Sequence, residues 1–224
     1  VAFSSDSKRL AGGNTSSFNR QPSEVAVWDL EHNREIFSRT SEDGYAGLAL
    51  SPSGQQLALA EYTGGEDKRG AIAVIDLASG KVERTLPFFH HLEFSPDGKQ
   101  LAGAHQQGNG VTVWEVATGK EQYRIVDIGV INQIRFSPDG KLLAMATNEL
   151  GSPNPEQLGE VMVFGAGNGG QLNVFSNHRG YVHGLAFSPD SKRIASAGQD
   201  IVRVWTVEKG RELFSLPVGF KPNN

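Results

Sequence analysis

Apolar residues in this chain fall in short alternating runs, never in the i, i+3, i+4, i+7 spacing of an amphipathic helix. VAVWDL (Val25–Leu30), AVIDL (Ala73–Leu77), VTVWEV (Val111–Val116), VMVFG (Val161–Gly165) and VRVWTV (Val202–Val207) place β-branched or aromatic residues at every second position. Such alternation predicts half-buried strands, because successive side chains in a strand point to opposite faces.

A second series runs ahead of each of these strands. FSPDGK occurs at Phe94–Lys99 and again at Phe136–Lys141, with FSSDSK at Phe3, LSPSGQ at Leu50 and FSPDSK at Phe187. The five anchors Phe3, Leu50, Phe94, Phe136 and Phe187 stand 47, 44, 42 and 51 residues apart. In Ser-Pro-Asp-Gly, Pro pre-sets φ at i+1, Asp suits i+2 and Gly closes a type I turn at i+3. The preceding Phe is an apolar anchor one step before the chain reverses. Each unit then reads as four strands, and the last shows the grammar most fully. YVHGLAF (Tyr181–Phe187) is a strand, SPDS a turn and KRIASA (Lys192–Ala197) a second strand. IVRVWTV (Ile201–Val207) is the third, EKGR a turn and ELFSL (Glu212–Leu216) the fourth. A four-stranded unit of this size cannot bury both faces alone, so copies must stack. Radial stacking of such sheets gives a β-propeller.

The units resemble WD40 repeats, in the FSPDGK-x-LA style of bacterial members. NHRGYVHGLAFSPDSKRIASAGQDIVRVWTV, near the C-terminus, carries the resemblance best. The likeness covers the whole chain and implies an all-β propeller of four-stranded antiparallel blades. As a single domain over 1–224 it would hold repeats at 1–40, 41–87, 88–127, 128–176 and 177–217, with a tail at 218–224. Five repeats in a family that usually closes with more, and a chain opening on Val1 inside an apolar segment, point to a truncated N-terminus. They also point to a piece of a larger ring of about seven blades. An open arc of five blades would expose two apolar blade faces.

The resemblance also assigns residues. His178, Ser196, Asp200 and Trp205 match the hydrogen-bonded structural tetrad of a WD40 blade, although Asn177 replaces the usual Gly and Asp200 stands one residue closer to the Trp than usual. Trp28 and Trp114 lack the His and Asp, so apolar packing must hold them. Partner contacts on the top face of such blades match Phe88, His90, Asn132, Tyr181, His183 and Gln199. The variable connections Gly12–Glu24, Glu61–Gly70 and Asn148–Glu160 belong to the same face. The bottom turns are short and uniform, so length variation on one face marks where specificity is expected.

Composition changes the picture only by exclusion. Of 224 residues 38% are hydrophobic and 21% charged, and the net charge of −4 with scattered Lys and Arg argues against nucleic acid or a polybasic membrane patch. No apolar run reaches the ~20 residues of a membrane span. Cysteine is absent, which excludes disulfides and thiolate metal sites and leaves the compartment open, with the cytoplasm as the default. GAGNGG (Gly165–Gly170) has G-x-G-x-x-G spacing, but a strand follows it where a dinucleotide site needs a helix. His90 and His91 would point to opposite faces, so no metal or other cofactor is expected. Ser196 lacks a nucleophile elbow, and no catalytic residue is assigned. A propeller hydrolase would need polar groups converging on a central channel, and the sequence offers none. The expected function is therefore a non-catalytic scaffold whose top face binds a protein or peptide. The alternative is a regulatory or sensory arm of a larger bacterial signalling enzyme, linked to a kinase or a protease.

Overall fold

The computed structural model describes residues 1–14, 23–62, 70–87, 89–104, 110–148, 158–199 and 201–217. Among the described residues twenty strands form five four-stranded antiparallel sheets, and there is no helix. Sheet 1 holds β1 (Ala2–Phe3), β2 (Arg9–Gly13), β3 (Ser23–Asp29) and β4 (Arg34–Ser41). Sheet 2 holds β5 (Tyr45–Leu50), β6 (Gln56–Tyr62), β7 (Gly70–Asp76) and β8 (Val82–Pro87). Sheet 3 holds β9 (His91–Phe94), β10 (Gln100–Ala104), β11 (Val111–Glu115) and β12 (Glu121–Ile125). Sheet 4 holds β13 (Val130–Phe136), β14 (Leu142–Asn148), β15 (Leu158–Gly165) and β16 (Gln171–Arg179). Sheet 5 holds β17 (Gly184–Phe187), β18 (Arg193–Ala197), β19 (Ile201–Thr206) and β20 (Glu212–Pro217). In every sheet the strands lie side by side in chain order.

The repeated hexapeptide makes the turn between the first two strands of each sheet. In sheet 3 the Ser95 hydroxyl donates to Asp97 Oδ1 at 2.6 Å and accepts the Gln100 N–H at 2.9 Å. Asp97 accepts the Lys99 N–H at 3.0 Å, and the Gly98 N–H closes the turn on the Ser95 carbonyl at 2.8 Å. Ser4, Ser137 and Ser188 repeat the serine-to-aspartate bond at 2.5–2.6 Å. The closing residue adopts a left-handed conformation, φ 72° at Gly98 and 70° at Gly140, which glycine reaches without a Cβ penalty. Ser7 and Ser191 occupy the same position at φ 58° and 59°.

The chain divides into two compact units, 1–103 with 113–122 and 104–112 with 123–224. In the first unit, small residues on sheet 2 face large ones on sheet 3. The cross-strand rows Ala49–Ala58–Val74 and Ala60–Ile72–Leu86 meet Phe94, Leu101, Trp114 and Val116. Sheet 1 offers Ala11, Val25 and Val27 to Leu50, Leu57, Ile75 and Leu77 in the same way. In the second unit Ala144, Ala146, Val161, Val163 and Phe175 of sheet 4 pack on Leu185, Ile194, Trp205 and Val207. A face of mostly small residues therefore receives a face of larger aliphatic or aromatic residues each time, and close packing removes both from water.

Trp114 is buried and lies edge-on to Phe89, ring centroids 4.9 Å apart. Two expectations are corrected. Phe3 is 59% exposed, whereas Phe94 and Phe136 are buried, because the face of sheet 1 that carries Phe3 is open to solvent. The first strand of sheet 5 begins at Gly184 rather than Tyr181. Ahead of it the Val182 carbonyl accepts Asn132 Nδ2–H at 2.8 Å. The Gly165–Gly170 segment is a hairpin turn joining β15 to β16, closed by Gly165 N–H to the Gly170 carbonyl at 2.8 Å.

Candidate functional site

The segment Gly180–His183, leading into β17, gathers four of the residues singled out above. Gly180 makes the approach possible by adopting φ 73°, and Val182 is fully buried beneath the segment. The neighbouring sheet fixes the backbone from one side: Asn132 holds the Val182 carbonyl, and Gln133 Oε1 accepts the Leu185 N–H at 2.6 Å. Sheet 5 fixes it from the other, through the His183 N–H and the Ala197 carbonyl at 2.8 Å. With its backbone bonded on both sides, the segment turns its alternate side chains outward. Tyr181 is 47% exposed and His183 is exposed, with their rings 6.0 Å apart and tilted by 38°. Gln199 is exposed beside them, its side-chain amide within van der Waals reach of a Cβ at Gly180. Asn132 is half-buried, and its contribution is to position this segment rather than to present itself to solvent.

His90 belongs to the first unit. It is half-buried just ahead of β9 and meets Tyr62 edge-on, ring centroids 6.0 Å apart. Burial raises the Tyr62 hydroxyl above its ordinary pKa. Phe88 lies outside the described residues, as do most of the three variable connections and Asp200.

Beneath the exposed group lies a buried polar chain. His178, at the end of β16, brings Nε2 to 2.7 Å from Ser196 Oγ on β18. Trp205 on β19 donates its indole N–H to the same oxygen at 2.9 Å. His178 and Ser196 are buried at 0% and 1% exposure, and Phe175 stacks on Trp205 with ring centroids 5.2 Å apart. Gly198 passes so close that a Cβ there would lie 2.6 Å from His178 Nδ1. A serine flanked by two ring nitrogens and sealed from solvent has no open path to a substrate carbonyl, whereas the same bonds satisfy buried polar groups and tie sheet 4 to sheet 5. Among the described residues no cluster of three or more His, Asp or Glu could hold a metal ion, and no helix is long and apolar enough to cross a membrane.

Sequence reasoning missed Gln133 and Tyr62. Gln133 is one residue beyond Asn132 in β13, and its partner lies 52 residues on, in sheet 5. Only the meeting of the two sheets reveals the bond. Tyr62 ends β6 as an aromatic at a strand terminus, the one signal that could have marked it.

Residues 169–206, which contain the His178–Ser196–Trp205 chain, match the family model described as WD domain, G-beta repeat. The transcriptional corepressor LEUNIG_HOMOLOG of Arabidopsis thaliana is 25% identical over 218 residues, covering 93% of this chain and 24% of that protein. The small ribosomal subunit protein RACK1 of Medicago sativa is 37% identical over 59 residues, 23% of this chain and 18% of its own length. Residues 169–206 thus carry a WD40 repeat, and the chain is similar to a corepressor over most of its own length. Its five four-stranded sheets are blades of the β-propeller fold. Among solved structures, a chain of Kuenenia stuttgartiensis hydrazine synthase superposes with a TM-score of 0.76 at 18% identity, over 97% of this chain and 65% of that one. That likeness is one of fold alone. The chain spans less than a quarter of the length of the two relatives and under two thirds of the solved chain.

Proposed function

We propose that these blades form a non-catalytic interaction scaffold, and that Tyr181, His183 and Gln199 contact a protein or peptide partner. One observation carries the reading: an exposed Tyr–His pair stands on a backbone that is hydrogen-bonded from two sheets. Large amphipathic rings on a rigid support give contact area at low entropic cost, the property that makes aromatic residues recur in binding hot spots. The similarity to a transcriptional corepressor and to a small ribosomal subunit protein favours a macromolecular partner. The buried, doubly bonded state of Ser196 supports a structural role for the residues that would otherwise suggest hydrolysis.

The test compares proteins retained by the wild-type chain with those retained by Tyr181→Ala/His183→Ala and by Leu213→Ala, an exposed residue of β20. Truncating a hot-spot residue costs at least ~1–2 kcal/mol. A specific partner should therefore weaken by more than about tenfold with the double variant and be unaffected by Leu213→Ala. Retention of every partner by the double variant would place the contact elsewhere. Hydrolysis of simple esters or lactones that vanished with Ser196→Ala would reject the non-catalytic reading.

A further inference from the structure

The segment Gly180–His183 is flanked by sheet 4 and sheet 5, both in one unit, and its backbone bonds alternate in direction. The Val182 carbonyl turns to Asn132 on sheet 4, and the His183 N–H to the Ala197 carbonyl on sheet 5. Successive residues of an extended chain bond to opposite sides in this way. The same alternation turns the Tyr181 N–H and carbonyl to the side of sheet 5. There β18 ends at Ala197 and the chain reverses, with the Gly198 N–H on the Ile201 carbonyl at 2.9 Å. Among the described residues neither main-chain group of Tyr181 has a hydrogen-bond partner. The Gln199 side-chain amide has none among them either, and it stands beside Gly180.

A donor and an acceptor on Tyr181 and the Gln199 amide, which is both, are thus left open close together. Such a set matches the N–H and C=O groups of another peptide chain, and it carries no charge to attract an ion. The bonds from Asn132, Gln133 and Ala197 hold the segment in this shape before anything binds, so little ordering is needed on association.

We propose that Gly180–His183 is a docking edge for an extended peptide segment of the partner, which pairs its own main chain with Tyr181. The proposal rests on the reading of Tyr181, His183 and Gln199 as partner contacts and names what they bind. One residue of the incoming segment runs antiparallel to Tyr181 and exchanges both main-chain bonds with it, N–H to carbonyl in each direction. The side chain of that residue then lies beside the exposed Tyr181 ring. Gln199 takes a neighbouring peptide group of the same segment. Main-chain pairing demands an N–H at the paired residue, so proline is excluded there. A folded partner resting only on the two rings would make no such demand.

The test uses the full chain and a display library of random linear peptides. Peptides retained by wild type and lost by Tyr181→Ala/His183→Ala are synthesised, and each of their amides is N-methylated in turn. Affinity is read by fluorescence polarisation. One position should lose more than about tenfold on N-methylation and on substitution by proline, while the two adjacent positions change by less than about threefold. Gln199→Leu, at an exposed position, should weaken the same peptides by about fivefold. Peptides that tolerate N-methylation at every position would overturn the proposal, since side chains alone would then carry the binding. So would a library that yields no peptide dependent on Tyr181 and His183 while a folded protein is still lost by the double variant, and in that case the scaffold reading would stand without this one. If neither peptide nor protein depended on the two residues, both readings would fall.

Discussion

Replacing Ser196 with Ala removes one oxygen from a buried site and leaves two ring nitrogens without it. In the folded protein Ser196 Oγ accepts the Trp205 indole N–H at 2.9 Å and bonds His178 Nε2 at 2.7 Å, with serine and histidine at 1% exposure or less. Each such bond contributes about 1 kcal/mol net, but stranding a buried donor or acceptor costs about 1–3 kcal/mol. Alanine fills most of the serine's volume, so the cavity term is small beside the polar one. The loss should therefore be about 3 kcal/mol. For a domain of this size that lowers the Tm by roughly 2–4 °C per kcal/mol, about 9 °C in all. The assay is urea unfolding followed by tryptophan fluorescence and far-UV circular dichroism together, since coincident transitions are needed before a single free energy is meaningful. Ser215→Ala, on the exposed outer strand β20, is the control and should stay within about 0.5 kcal/mol of wild type. If Ser196→Ala were as stable as Ser215→Ala, the bonded chain would not be holding the blade, and the structural reading of His178, Ser196 and Trp205 would fail.

Gly198→Ala sets a Cβ against the His178 ring and should destabilise by about 1–3 kcal/mol, shown by a lower urea midpoint with an unchanged slope. Gly98→Ala has room for its methyl group but must hold φ 72°, so the loss should be only about 1–2 kcal/mol; a neutral result would mean that the turn relaxes. The carboxyls of Asp97 and Asp139 are held below the ordinary value of 3.8, first by the hydrogen bonds from Ser95 and Ser137. A depressed folded-state pKa contributes stability that is complete above about pH 4 and lost as the pH falls through the folded value. Carboxyl ¹³C titration should place both midpoints below 3.8, and Ser95→Ala should raise that of Asp97 alone. An Asp97 midpoint unmoved by Ser95→Ala would show that the serine does not set it.

The turns were legible in the sequence because everything that makes them is local. Ser95, Asp97 and Gly98 satisfy one another within six residues, and the same chemistry recurs wherever the hexapeptide does. The two unlike faces were half legible. Alternation identifies Ala58 and Ala60 as one row and Leu57 and Leu59 as the other, but it does not say which row meets another sheet. Phe3 shows the difference: its hexapeptide, FSSDSK, is a near-copy of those at Phe94 and Phe136, yet burial depends on a neighbouring sheet that no hexapeptide encodes. At the candidate surface, Tyr181 and His183 were legible as outward rings near the head of a blade. Their support was not, because Asn132 and Gln133 act on partners 50 and 52 residues away in the next sheet.

The most direct test of the scaffold account places a photo-crosslinking phenylalanine analogue at position 181, with position 213 on β20 as the control. The account predicts a discrete crosslinked partner from position 181 that is absent from position 213 and is lost when His183→Ala is added. Equal crosslinking from both positions, or none from 181 while a partner still binds, would contradict it.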